Sequence, residues 1–282
     1  MNDFPDITLE FGQYVDSLVT WLDTNLDFLF DAIWYVILNF LLFVESALMG
    51  LPWWLFILII VLLGWKLRTI VSGLVFGLLI FFIGTFELWE PMMETLAIIM
   101  TSVVISIVLG IPLGILMAYN KRLATVMRPI LDGMQTMPSF VYLIPALILF
   151  DMGKVPAVIA TTIYAIPPVV RLTDLGIRRV STEMVEAGKS FGASPFQLLT
   201  KVQIPQALPT IMAGSNQTTM LALAMVVISA MIGADGLGLE VYVAISRVDI
   251  ARGVEAGISI VFLAIIIDRL TQAVGDKFKY SD

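Results

Sequence analysis

EAGKSFGASPFQLLTKVQIPQALP, Glu186 to Pro209, is the longest polar interruption in the apolar second half of this chain. It carries Lys189 and Lys201, and Arg171, Arg178 and Arg179 stand just before it. Its spacing predicts two short capped helices. Ser181 caps the first, with Glu183 in the positive first turn. Gly192 sits where a C′ glycine ends that helix. Ser194 caps the second, Pro195 fits its N1 position, and Gln197 completes a capping box. Pro205 and Pro209 are expected to close the unit. Two amphipathic helices joined by a glycine turn and held between membrane spans suit the docking of a soluble partner. Spacing alone leaves open an ordinary loop with good caps.

Composition supplies the spans. Of 282 residues 59% are hydrophobic and 14% charged, and the mean hydropathy is +0.95, the profile of an integral membrane protein. The expected fold class is all-α and membrane-embedded. There is no cysteine and no histidine. This removes disulfides, thiolate nucleophiles, most zinc sites and histidine general bases, so neither a catalytic nor a metal-binding residue is proposed. No G-x-x-x-x-G-K-[ST] occurs, so ATP is not expected to bind this chain. No basic n-region with a small-residue cleavage site marks a signal peptide. The net charge of −7 comes largely from an acidic N-terminal segment, and no basic patch suggests nucleic acid.

Residues 1–27 contain Asp3, Asp6, Glu10, Asp16, Asp23 and Asp27 and no basic residue. Leu22, Leu26, Leu29, Ile33 and Val36 recur at helical spacing with Asp23, Asp27 and Asp31 opposite, which predicts an amphipathic helix lying on the membrane. Whether 28–49 crosses the bilayer is left open by Asn39 and Glu45. Spans are expected near 52–65, 69–86, 96–118, 136–152, 155–171, 212–233 and 254–273. Basic residues fall after the first, third, fifth and seventh: Lys66 and Arg68; Lys121, Arg122 and Arg128; the Arg171–Lys201 group; Lys277 and Lys279. With these inside, the N-terminus lies outside, the C-terminus inside, and Glu186–Pro209 is cytoplasmic. The division is an acidic segment with its amphipathic helix (1–50), scaffold spans (51–90), a working core (92–273) containing the polar loop (181–209), and a tail (274–282).

Several polar features interrupt the core. Gln135, Thr136 and two prolines enter the fourth span at 133–145, and Pro167–Pro168 end the fifth. Proline in a membrane helix frees carbonyls and bends the helix. Such bends line a moving pathway or simply pack as kinks. Asn216, Gln217, Thr218 and Thr219 open the sixth span; they either face a cavity or bond helix to helix, and helix bonding is the commoner role. No Asp, Glu, Lys or Arg stands mid-span between 96 and 233. Ion-coupled carriers normally need such groups or broken helices with ion-binding carbonyls, so energy is expected from outside the chain. Asp268 and Arg269 read as an interfacial anchor. The glycine-rich 233–240 loop is a re-entrant hairpin, an external contact or a plain turn.

The polar loop resembles the cytoplasmic signature of ATP-binding-cassette importer permeases: E-A-A, three residues, G, nine residues, I-x-L-P. Glu186, Ala187 and Gly188 stand for E-A-A, Gly192 follows three residues on, and Val202, Gln203, Ile204 and Pro205 come after nine more. Gly188, Val202 and Ile204 depart from the signature but keep those positions small or aliphatic; Gly188 weakens its helix by roughly 1 kcal/mol relative to alanine. QTMPSFVYLIP at 135–145, IPPVVRLT at 166–173, SFGASP at 190–195, PTIMAGSNQTTMLALAMVVISAMIG at 209–233 and LAIIIDRLTQAVG at 263–275 are similar to the glycine betaine/proline betaine permeases.

That resemblance implies the type I importer fold in a bacterial plasma membrane. It implies two copies of the permease and two cytoplasmic ATPase subunits holding ATP-Mg and docking on 186–205. It also implies an extracytoplasmic glycine betaine-binding protein that delivers cargo. A quaternary ammonium is held best by aromatic faces. Phe140, Tyr142 and Tyr164, with Gln135, Thr136, Asn216 and Gln217, are therefore carried as candidate pathway residues. Choline, carnitine or proline as cargo, or an ion-coupled carrier working alone, are the alternatives.

Overall fold

A computed structural model describes residues 11–277; Asp3, Asp6 and Glu10 of the acidic segment and Lys279 of the tail lie outside the described residues. The described chain is helical throughout: α1 (Phe11–Met49), α2 (Trp53–Leu67), α3 (Ile70–Thr85), α4 (Trp89–Tyr119), α5 (Lys121–Thr136), α6 (Leu143–Phe150), α7 (Lys154–Arg178), α8 (Thr182–Ser190), α9 (Pro195–Leu198), α10 (Ile204–Ala224), α11 (Val226–Ala230), α12 (Leu237–Arg247) and α13 (Ile250–Asp276). A 3₁₀ turn at Ser139–Tyr142 precedes α6, and a π turn at Leu199–Gln203 joins α9 to α10.

The centre is the contact between α4 and α7. Ser102, Ser106, Gly110 and Gly114 recur every fourth residue on α4, so they form one narrow stripe of small side chains. Ser102 Oγ donates to the Val158 carbonyl (3.3 Å) and Ser106 Oγ to the Thr162 carbonyl (3.5 Å). A Cβ on Gly110 would meet Val169 at 2.5 Å, and one on Gly114 would meet the Val170 carbonyl oxygen at 2.6 Å. The partners advance in step along both helices, so α4 and α7 run parallel. α10 packs antiparallel on α7 and also touches α4: Gly176 faces Ala207 and Thr210, Gly214 faces Pro168 and Val169, and Ala207 and Ile211 cluster with Ile111 and Ile115.

Four described helical segments are long and apolar enough to cross a membrane: Thr24–Met49, α4, α7 and α13. The span expected at 136–152 is the second arm of a broken pair. α5 and the Ser139–Phe150 segment meet at a bend of 112°. Met137 takes an extended conformation (ψ 134°) because a residue followed by proline is pushed out of the helical region. The spans expected at 52–65 and 69–86 are helices of 15 and 16 residues. At 1.5 Å per residue each covers about 23 Å, less than a hydrocarbon core of about 30 Å. They form a hairpin with Gly64 and Gly73 back to back, where a Cβ would fall 2.7 Å from the opposing backbone.

α1 differs from expectation in the face it uses. Leu29, Ile33 and Val36 are exposed, while Leu41 is fully buried with Ile37, Val44 and Leu48 around it. A helix apolar on all sides from Ala32 onward has no unique stripe for spacing to find. Its direction is oblique. Phe30 meets Phe150 edge-on at 5.5 Å, and Glu45, about 22 Å further along the axis, bonds to Lys154, only four residues beyond Phe150. α1 therefore leans across that end of the bundle.

The glycine loop at 233–240 is packed, not free. Leu237 N–H donates to Thr95 Oγ1 (2.8 Å), and Gly236 adopts φ +102° with its missing Cβ pointed at that same threonine.

Candidate functional site

The polar loop folds as its caps dictate. Met184 N–H donates to Ser181 Oγ at the start of α8 (3.4 Å). At the end, Gly192 takes φ +75°, its N–H bonds to the Lys189 carbonyl (2.9 Å), and Ala193 N–H bonds to the Gly188 carbonyl (3.1 Å). That pair of bonds is a Schellman motif, and it needs the left-handed residue glycine supplies. The capping box of α9 is complete: Ser194 N–H donates to Gln197 Oε1 (2.9 Å) and Gln197 N–H to Ser194 Oγ (3.3 Å).

The prolines do not close this unit. Helix continues from α9 through the π turn into α10 and past Pro205 and Pro209. Pro205 lies in the first turn of α10, where its missing N–H costs nothing, and Ile204 N–H bonds five residues back to the Leu199 carbonyl. The polar loop and the membrane helix after it are thus one continuous body.

The motif residues meet across the hairpin. A Cβ on Gly188 would lie 2.8 Å from Leu198 Cδ1 and 3.6 Å from a Val202 methyl, so glycine lets α8 lie close on the following turn. Glu186, Ala187 and Gly192 face outward, whereas Val202, Ile204 and Pro205 are half-buried. Beside the outward residues stand Phe191 (92% exposed), Phe196 (74%) and Met184 (48%). A groove between α8 and the start of α10 is lined by Met184, Lys201, Val202, Pro205 and Gln206. Large apolar side chains at this exposure on a polar loop mark an interaction surface. The motif did not single out Phe191 and Phe196; their position in a capped turn beside it was the available signal.

The loop is tied into the bundle at its root. The Tyr119 hydroxyl, at the end of α4, donates to Gln203 Oε1. Arg178, at the end of α7, donates to Asp174 and to the Met117 carbonyl. Asp174 also accepts from Arg128 of α5 (3.1 Å).

The candidate pathway residues do not form one cluster. Tyr142 and Tyr164 pair with ring centres 6.0 Å apart, and the Tyr142 hydroxyl donates to the Met134 carbonyl across the bend. Gln135 and Thr136 before that bend and Phe140 after it lie exposed. Asn216 bonds helix to helix: its Nδ2 donates to Asp268 (3.2 Å), and the Thr271 hydroxyl donates to its Oδ1. Asp268 is thereby a bonded member of the α10–α13 contact, more than an interfacial anchor. Gln217, one residue round the helix, is exposed.

At the opposite end of α7, Lys154 gathers three carboxylates. Glu45 approaches to 2.9 Å, Glu94 to 3.2 Å and Asp235 to 3.4 Å. Glu94, Lys154 and Asp235 come from the segments expected on one side of the membrane, and they do share one end of the bundle. Glu45 joins them from α1.

A parallel helix pair in lipid-compatible packing, a broken helix beside it and a capped loop at one end define an importer-type membrane permease fold. The match to a known structure agrees: one chain of the MetNI methionine ABC transporter, solved in inward-facing conformations, superposes with a TM-score of 0.61 over 66% of this chain and 94% of that one, at 22% identity. The chain belongs to the binding-protein-dependent transport system inner membrane components, whose family pattern matches residues 110–280. It is 48% identical over 275 residues to the glycine betaine/carnitine transport permease protein GbuB of Listeria monocytogenes, covering 93% of this chain and 96% of that one. It is 44% identical over 282 residues to the glycine betaine transport system permease protein OpuAB of Bacillus subtilis (99% and 98%). It is 43% identical over 275 residues to the glycine betaine/proline betaine transport system permease protein ProW of Escherichia coli (98% and 78%).

Proposed function

We propose that this chain is the transmembrane pathway subunit of an ATP-driven glycine betaine importer. Two copies line the pathway, two ATPase subunits dock on α8 and α9 in the cytoplasm, and an external receptor delivers the betaine. The observation that carries this reading is the capped α8–α9 hairpin. It presents the Glu186–Gly192 motif, Phe191 and Phe196 outward, and it continues without a break into α10. A force applied by a docked ATPase dimer would reach the bundle through that continuity and through Arg178 and Tyr119. Exposed polar groups at the bend, Gln135 and Thr136, suit contact with a second copy or with an aqueous path, because amides and hydroxyls avoid lipid. Basic residues at the shared end of α4 and α7 support a cytoplasmic location for that end, with the C-terminus inside and the N-terminus outside.

Cells lacking their own betaine transporters would be given this chain with its ATPase and receptor, and with each partner omitted. Labelled glycine betaine should accumulate only when all three are present. Accumulation with this chain alone would make it a secondary carrier and sink the docking argument. Unlabelled choline, carnitine and proline as competitors would define the cargo. In the same cells, Glu186→Lys and Gly192→Trp should insert normally but fail to co-purify the ATPase; co-purification at the parent level in both would remove the motif from the docking surface.

A further inference from the structure

α5 is the loosely held helix next to the centre: only Ala124 and Leu131 of its residues are buried. α4 grips α7 through backbone-close glycine contacts, which fix the two as one body. α5 shares an apolar cluster with α7, Leu131 and Met134 with Val170 and Ile166, and adds to it two ion pairs one helical turn apart on each helix. Arg128 reaches Asp174 at 3.1 Å, and Asp132 pairs with Arg171. The order is inverted between the helices, as antiparallel neighbours require. Asp174 is 5% exposed and also bonds to Arg178, which holds the Met117 carbonyl of α4. Burying a carboxylate between helices is an expensive way to gain stability, since apolar packing would serve as well. Its use here calls for a reason other than stability.

Position supplies that reason. In one direction α7 runs from Asp174 through Arg178 and Arg179 to the Ser181 cap of α8, so the ion pairs sit directly behind the motif loop. In the other direction α5 runs from Asp132 to Gln135, Thr136 and the 112° bend at Pro138. We propose that Arg128–Asp174 and Asp132–Arg171 form a clasp that transmits movement of the α8–α9 hairpin to the bent α5–α6 segment. These four are positioning residues. Asp174, buried and doubly paired, is the fixed anchor. Asp132–Arg171 is the exposed, exchangeable half, able to release while α4 and α7 stay together. The inference rests on the importer reading, and it deepens it by naming the link between docking loop and pathway.

The test uses the full complex of permease, ATPase and receptor in lipid vesicles. The chain has no cysteine, so Val126→Cys, at an exposed site on α5, gives this chain a single thiol, and its rate of modification by an impermeant maleimide, read on the permease band, reports on α5. Asp132→Asn should assemble and hydrolyse ATP as the parent does, while solute carried per ATP falls roughly five- to tenfold. Asp174→Asn should do the same or more. The exchange Asp132→Arg with Arg171→Asp should restore transport to within about twofold of the parent. ATP with vanadate should change the Val126→Cys rate in the parent and in the exchange variant, but not in Asp132→Asn. An unchanged solute-to-ATP ratio in Asp132→Asn, an exchange variant as defective as the single one, or a rate insensitive to ATP in the parent would each overturn the clasp. Failure of the importer reading is separate: the parent complex would then carry no betaine, while the maleimide rates would still decide whether α5 follows the hairpin. If Asp174→Asn does not fold, Asp132→Asn and the exchange carry the test.

Discussion

α1 and α7 are both long and apolar, and they are made for opposite surroundings. Over their membrane-length windows α7 is 67% buried inside the chain and α1 only 11%, although α1 is the more apolar of the two. In water this order would be reversed. Lipid tails are as apolar as leucine, so hydrophobicity does not select which helix lies inside; close approach and hydrogen bonding do. α7 is central because α4 offers it Ser102, Ser106, Gly110 and Gly114 and α10 offers it Gly214. α1 is peripheral because its leucines and phenylalanines have no such partner stripe and face lipid as comfortably as protein.

The contrast can be broken or sharpened by substitution, read as thermal unfolding and monodisperse yield of the purified chain in detergent. Gly114→Val should have the largest effect. Its side chain would start 2.6 Å from the Val170 carbonyl oxygen, and the overpacking should cost about 3 kcal/mol and most of the folded yield. Parent-like melting would mean that α4 and α7 are not locked. Leu41→Ala, at the fully buried point of α1, should cost about 2 kcal/mol by leaving a cavity against Ala97 and Val158. Asn216→Leu removes the bonds to Asp268 and Thr271 but leaves Asp268 its bond from Gln272, so about 1 kcal/mol is expected. Val36→Ala, on the outer face of α1 (66% exposed), should stay within about 0.5 kcal/mol of the parent. If Val36→Ala and Leu41→Ala melt alike, the assignment of the packed face of α1 is wrong.

What was legible in the sequence was local. Ser181, Gly192, Ser194 and Gln197 each bond within six residues, and the loop they predict is the loop that forms. The bend after Thr136 was legible for the same reason, since Pro138 acts on Met137 directly. The signature at Glu186–Pro205 and the similar stretches beyond it pointed to the permease family that the comparisons establish. Distant pairings were not legible. Lys154 draws on residues 45, 94 and 235, and Asp174 on residue 128, and no spacing announces such partners. Pro205 and Pro209 misled because a proline reads as a stop wherever the helix has begun; here the preceding π turn accommodates Pro205 in the first turn of α10, and α10 runs on with Pro209 inside it. The stripe on α1 misled because a helix apolar all round offers several equivalent stripes. Of the candidate pathway residues, the sequence could place Tyr142 and Tyr164 in neighbouring spans but could not bring their rings into edge contact.

The π turn at Leu199–Gln203 has a consequence for register. It holds one residue more than an α-helix of the same rise, so everything after it is rotated by about 100° relative to everything before. Phe196 belongs to one phase, Ala207 and Gly214 to the next. Removing a single residue there would leave composition and caps nearly untouched and shorten the motif's nine-residue spacing by one, and it would swing Gly214 off α7. The surplus residue works as a phase shifter. It lets the surface offered to a partner and the surface offered to the bundle be chosen independently along one unbroken rod.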